Sequence, residues 1–258
     1  AARGLDYSII LGSAAYDEHR AMHYLDLMVD RRVDGLIIAS SQLSDESWEW
    51  LGNAPLPVVV VNAEPSGLPV PVITSDNVGG TRLAVEHLVG LGHRRLAYVR
   101  GYEGFTADLP RVEGFRKACA DAGIPASDVV EVRGDGQFEG GERAMAELLA
   151  QGCDMTAVVC HNDVTAIGAM RAIRASGRRV PQHISVVGCD DIAAASWVVP
   201  ALTTVAQQKA EMGRMAVERI AAALDDPEST GEAETIRIPM ILRIRESTGP
   251  APGEPARE

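Results

Sequence analysis

Apolar residues in this chain come in two rhythms that take turns. Short unbroken runs rich in Val and Ile stand at YSIILG (Tyr7–Gly12), GLIIAS (Gly35–Ser40), VVVVN (Val58–Asn62), PVITS (71–75), LAYV (96–99), VVEV (129–132), AVVC (Ala157–Cys160) and SVVGC (185–189), with a last one near Ile236–Ile244. Between them lie longer stretches in which apolar positions recur every three or four residues, as at Met22, Leu25 and Val29. The unbroken runs predict strands buried on both faces, and the periodic stretches predict helices. The helices fall over Glu18–Arg32, Ser44–Gly52, Gly79–Leu91 (stopped by Gly92), Arg111–Ala122, Gly140–Leu149, Val164–Ala175 and Gln208–Leu224. Strand and helix in alternation predict an α/β fold of parallel, doubly wound sheets.

Around a dozen strands are too many for one comfortable open sheet, so two sheets are expected. The Pro-rich turn at Leu68–Pro71 and the irregular stretch Ser196–Gln207 read as places where the chain changes domain. A tail over 247–258, with Pro250, Pro252 and Pro255, reads as flexible.

With 258 residues, 46% of them hydrophobic, the chain has enough apolar material for two cores, filled by aliphatic side chains because aromatics make up only 4%. The formal charge of −12 argues against a chain that grips nucleic acid phosphates by itself. Cys119, Cys153, Cys160 and Cys189 are far apart and form no C-x-x-C pair, which suits reduced thiols in a cytoplasmic protein. No run is long enough for a membrane span, and no signal-peptide layout opens the chain.

Open parallel sheets bind ligands beyond the carboxyl ends of their strands. The residues there are Ser13 and Asp17; Ser40, Ser41 and Gln42; Asn62; the loop Gly101–Pro110 with Phe105 and Asp108; GDGQF; His161, Asn162 and Asp163; and Asp190 with Asp191. Hydroxyls, amides and carboxylates with one nearby cation, Arg111, suit a neutral, hydroxyl-rich ligand such as a sugar. Asp163 and Asp191 each precede a helical stretch and read first as caps. Asn162 and Asp190, one residue earlier, are left for function. Arg111 lies in the first turn of a helix, where a cation opposes the helix dipole and calls for an anionic partner or a ligand. His93, at a helix end, reads as structural. A metal site built on His161, Asp163 and Asp190 lacks H-x-x-x-H spacing, GDGQFEGG lacks the Lys and Ser/Thr of a phosphate loop, and no G-x-S-x-G elbow is present. No cofactor and no catalytic residue are expected.

Several phrases together resemble the effector-binding region of lactose-repressor-type (LacI/GalR) transcription regulators: VDGLIIASS, SDNVGGTRLAVEHLVGLGHRRLAYVRG, RVEGFRKACADAGI, AVVCHNDVTAIGAMRAIRASGRRVPQHISVVGCDD, PALTTVAQ and LRIREST. They run in order from Tyr7 to Thr248. The resemblance implies two periplasmic-binding-protein-like lobes, 1–75 with 207–234 and 76–206 with 235–246, and a ligand cleft between them. It also implies a homodimer whose effector changes affinity for operator DNA. The helix-turn-helix that would read that DNA is not among these residues, and neither is the first strand of lobe one. By the same resemblance Arg111, Asn162 and Asp190 contact the ligand, and Phe105, Ala107 and Asp108 line the pocket. Gly136 stands where an aromatic is often found, and Phe138 or Trp197 would replace its stacking on a sugar ring. Cys189 also stands where an aromatic is common, and Asn62 where many members have Asp. Ser40 completes the candidate set.

Two other functions are weighed against the effector-sensing domain of a regulator. One is a sugar-binding protein of a transport system, with the same fold. The other is an enzyme using Asp163, Asp190 and Asp191, which would need a phosphate cradle or ligand cluster that the sequence lacks.

Overall fold

The computed structural model describes residues 2–14, 17–39, 44–64, 70–102, 107–226 and 234–253. The chain divides into two compact units, 1–75 with 208–238 and 76–207 with 239–258. The elements in order are α1 (Glu18–Asp30), β1 (Leu36–Ala39), α2 (Asp45–Gly52), β2 (Val58–Val61), β3 (Val72–Ser75), α3 (Asn77–Gly90), β4 (Leu96–Val99), α4 (Asp108–Asp121), β5 (Val129–Val132), α5 (Phe138–Ala150), β6 (Ala157–Cys160), α6 (Asp163–Ala175), β7 (Ser185–Cys189), β8 (Thr203–Ala206), α7 (Lys209–Asp225), β9 (Thr235–Ile238) and β10 (Ile241–Arg243). Among the described residues no helix is long and apolar enough to cross a membrane.

The first unit is a parallel sheet in the order β1-β2-β3-β9. The all-valine β2 serves both faces because successive side chains point to opposite sides. Val58 and Val60 join Leu25 and Leu51 of α1 and α2, while Val59 packs with Met212 and Ala216 of α7. The second unit is a six-stranded sheet in the order β10-β8-β7-β6-β4-β5, parallel except for β10. Its faces divide in the same way. Val99, Val158 and Val186 lie with α5 and α6, and Tyr98, Val159 and Val187 lie with α3 and α4. Helices α5 and α6 approach closely because two glycines face each other's backbones: a Cβ on Gly168 would stand 2.0 Å from Phe138 O, and one on Gly141 2.2 Å from Thr165 O.

Four expectations change. The run Tyr7–Gly12 is not a strand: no ladder engages it, and Ile9, Ile10 and Leu11 are exposed. The last strand is two strands in two sheets. Pro239, which has no N–H for a ladder, separates β9, paired with β3, from β10, paired with β8, so 235–238 belongs to the first unit. The turn at 68–71 is not a domain crossing, since β3 after it still lies in the first unit; Leu68 and Pro69 are outside the described residues. The tail is docked over its first half. Ser247 is buried, donates to Val186 O (2.6 Å) and accepts from Thr203 N (2.8 Å), and Ala251 N bonds Leu91 O (2.9 Å). Buried His93 helps hold it, with Nε2 3.0 Å from Gly249 O and Nδ1 2.9 Å from Thr156 Oγ1.

Candidate effector site

In the second unit β4 leads to β5 on one side, and the chain then returns to β6 on the other. That reversal marks the region at the carboxyl ends of β4 and β6 as the favoured ligand position in a doubly wound sheet. Arg111 reaches into it from α4. The guanidinium is buried, at 3% residue exposure, and each of its nitrogens has a partner. Nε donates to Asn77 Oδ1 (2.9 Å), Nη1 to the His161 carbonyl (2.5 Å) and Nη2 to Asp190 Oδ1 (3.2 Å). The rigid fork therefore ties together the start of α3, the end of β6 and the end of β7.

Asp190 and Asp191 follow β7 with φ of 108° and 49°. Two successive left-handed residues suit short polar side chains better than β-branched ones, which is a local reason for paired aspartates at this point. Asp190 also accepts from Gln207 Nε2 (2.6 Å). Its side chain keeps 23% exposure, so the carboxylate opens to solvent while Arg111 behind it does not.

The caps lie elsewhere than the sequence suggests. Asn162 caps α6, its Oδ1 accepting from Thr165 N (2.8 Å), while its Nδ2 donates to Gly136 O (2.9 Å). Asp163 is inside the helix and accepts from Ile192 N (2.8 Å) and Thr204 Oγ1 (2.5 Å). Burial raises its pKa to about 6, with those two hydrogen bonds pulling the other way. Asp191 caps nothing and pairs with Arg245 at 2.6 Å.

Asp108 is a support, with both oxygens taken by protein donors. Oδ2 accepts from Arg100 Nε (3.0 Å) and Nη2 (2.7 Å), Oδ1 accepts from Gly101 N (2.8 Å), and His161 Nδ1 lies 3.2 Å from Oδ1. Burial opposes its charge, but the contacts to His161, Gly101 and Arg100 outweigh that and hold the pKa at about 2. Burial lowers the pKa of His161, which keeps its ring neutral near neutral pH.

Phe138 and Trp197 belong to another surface. Phe138 lies under Arg171, 5.6 Å from its guanidinium carbon, and lines a groove of roughly 380 Å³ with Ile167, Met170, Val198 and Val199. Trp197, beside that lining, is 75% exposed. Arg111, Asn162 and Asp190 do not line this groove. Asn62 follows β2 in the first unit with φ 64°. Ser40 and Phe105 lie outside the described residues. Asn77, Gln207 and the His161 carbonyl are not among the groups that the sequence singles out. Asn77 was findable, because it follows β3 just as Asn162 follows β6; the roles of Gln207 and of a backbone oxygen leave no mark in residue type.

The family model for a periplasmic binding protein-like domain matches residues 85–248. The ribose operon repressor of Escherichia coli (strain K12) is 34% identical over 242 residues, which cover 93% of this chain and 73% of the repressor. Among solved structures, a LacI family transcriptional regulator from Enterococcus faecium with bound ribose superposes with a TM-score of 0.83 at 29% identity, over 96% of this chain and 90% of that one. A dimeric Lac repressor superposes with a TM-score of 0.85 at 29% identity, over 98% and 91% of the two chains. These relatives regulate transcription, which favours a regulator over a transport receptor or an enzyme. The chain belongs to the LacI/GalR family of transcription regulators and carries its effector-binding domain.

Proposed function

We propose that Arg111 and Asp190 bind a small polyhydroxylated effector, a sugar, and that its binding changes the affinity of the regulator for operator DNA. The observation that carries this reading is the asymmetry of the pair: a fully buried guanidinium, fixed by three acceptors, behind a carboxylate that opens to solvent. Asp190 accepts hydrogen bonds from ligand hydroxyls, and Arg111 sets the carboxylate's position and charge. Asn162, whose amide nitrogen has a second proton beyond the one given to Gly136, donates to a ligand oxygen. The ribose named for two relatives makes pentoses the first candidates. Effector and DNA are linked only through a difference in affinity between conformations, so the ligand must bind one of them better.

The same reading takes the regulator as a homodimer that reads DNA through a helix-turn-helix. Val199, which lines the Phe138 groove, and Trp197 beside it are 82% and 75% exposed and form the apolar face for a second copy.

A thermal-shift series with D-ribose, other pentoses, hexoses and disaccharides tests the effector reading. A saturating ligand raises the melting temperature by several degrees, and Asp190→Ala abolishes that rise while remaining folded. A series in which no sugar moves the transition, or in which Asp190→Ala responds like the parent, overturns it.

A further inference from the structure

Asp190 Oδ1 has two side-chain donors, Arg111 Nη2 at 3.2 Å and Gln207 Nε2 at 2.6 Å. Gln207 is the last residue of the second unit before the chain returns to the first at Gln208. On the other side of the pair, Arg111 Nε donates to Asn77 Oδ1 at 2.9 Å. Asn77 comes two residues after Ser75, where the chain leaves the first unit. Two of the three crossings between units are thus one side-chain hydrogen bond away from the Arg111–Asp190 pair. At the third crossing, Ile238–Pro239, the nearest polar side chain is Arg237, which pairs with Glu64 (2.9 Å) and not with Arg111 or Asp190.

Crossing segments at the ends of elements are where backbone angles change when two units rearrange. A ligand can bias such a rearrangement only if occupied and empty sites make different contacts with those segments. The shared oxygen of Asp190 provides that difference. A ligand hydroxyl that donates to Asp190 competes with Gln207 for the same acceptor, and a carboxylate oxygen that gains one donor holds the others less tightly.

We propose that Asn77 and Gln207 are positioning residues that hold Arg111 and Asp190 in place and carry the occupancy of that pair into the two crossings at 75–77 and 207–208. The proposal rests on the reading of Arg111 and Asp190 as the effector site. Its first test needs no effector. Asp190→Gly deletes the carboxylate at a position where φ is 108°, which glycine adopts without strain. In hydrogen–deuterium exchange on the whole 258-residue chain, Asp190→Gly makes segments 75–79 and 205–209 exchange about threefold to tenfold faster. Gln207→Leu accelerates 205–209, Gln207→Lys, which restores a donor, returns it toward the parent rate, and the double variant Asp190→Gly with Gln207→Leu goes no further at 205–209 than the larger single change. Segment 238–241, at the third crossing, keeps the parent rate. Equal acceleration at all three crossings, or none at the first two, overturns the proposal.

The second arm adds D-ribose. Ribose, by taking part of the acceptor that Gln207 uses, speeds exchange at 205–209 in the parent, and in Gln207→Leu it binds without that change. An equal change at 205–209 in both proteins, or slower exchange there in the parent, overturns the proposal. If ribose binds neither protein, it is the ribose reading that fails, and the ligand-free comparison still decides the coupling.

Discussion

Asp163 accepts the Thr204 hydroxyl on Oδ1 at 2.5 Å and the Ile192 amide on Oδ2 at 2.8 Å. One carboxylate from the first turn of α6 therefore grips both the segment that leaves β7 and the strand β8 that follows it. Between these grips stand Asp190 and Asp191 with positive φ. Backbone in such regions persists when its surroundings over-determine it, and Asp163 supplies part of that constraint.

The first prediction concerns the charge of Asp163. Its folded pKa, raised by burial to about 6, lies above the ordinary 3.8. The native state therefore holds this proton more tightly than the unfolded chain does. The contribution of the group to stability falls as pH rises from about 4 to about 6, by about 3 kcal/mol for a shift of this size, and is constant above that. Asp163→Asn resembles the protonated form: its oxygen accepts from Ile192 and its nitrogen donates to Thr204. At pH 7.5 this variant is as stable as the parent or more so. Asp163→Ala loses both acceptors and is about 2 kcal/mol less stable. Urea unfolding at pH 4.5 and 7.5 reads both effects, and an Asn variant as unstable as the Ala variant at pH 7.5 would refute the account.

The second prediction contrasts two helical glycines. Gly168→Ala puts a methyl group against Phe138 O and forces α5 away from α6, a loss of about 2 kcal/mol from overpacking. Gly213→Ala in α7 meets nothing within 4 Å and gains about 0.5–1 kcal/mol from helix propensity. Thermal unfolding of the two variants should move in opposite directions, and a shared direction would mean that backbone entropy, not packing, governs both sites.

Much of the fold was legible because buried parallel strands write themselves as unbroken runs: VVVV and LAYV needed no context. YSIILG misled because its pattern is that of a strand while pairing depends on a neighbour, which residue type does not encode. At the site, Arg111 and Asp190 were legible from chemical logic, a cation at a helix start and carboxylates after a strand. The exchange of roles between Asn162 and Asp163 was not, because cap and interior differ by one residue and either side chain caps well. Phe138 and Trp197 stand out in the sequence for what an aromatic does to a sugar, and only the fold reveals that they belong to a different surface.

That surface gives the third prediction. Trp197→Glu and Val199→Glu each place a charge on the exposed apolar patch at the groove. Both weaken self-association by about tenfold or more, since a buried unpaired charge costs more than the apolar contact it replaces. Analytical ultracentrifugation over a concentration series measures this directly. Dimers as tight as the parent's in both variants would move the interface elsewhere.

The last prediction sets two arginines of α4 against each other. Arg116 makes a bidentate pair with Glu131 at 2.6 and 2.8 Å, but it is exposed to solvent. Water replaces most of what that pair offers, so Arg116→Lys costs less than about 1 kcal/mol and leaves effector binding alone. Arg111 has comparable distances, but its three acceptors are spread over Asn77, His161 and Asp190 in a buried setting. A lysine there keeps the charge, but its single nitrogen cannot span three acceptors held in a guanidinium's plane. Arg111→Lys therefore leaves buried acceptors unmet, costing about 2–3 kcal/mol of stability, and weakens sugar binding about 30-fold or more because Asp190 is no longer held in position. Arg111→Leu strips the cation from Asp190 as well and costs about 3–5 kcal/mol. Melting temperature without ligand, measured beside the dissociation constant for D-ribose, separates the two losses. If Arg111→Lys binds as the parent does, charge alone is sufficient and the forked geometry is not what holds Asp190 in position for the effector.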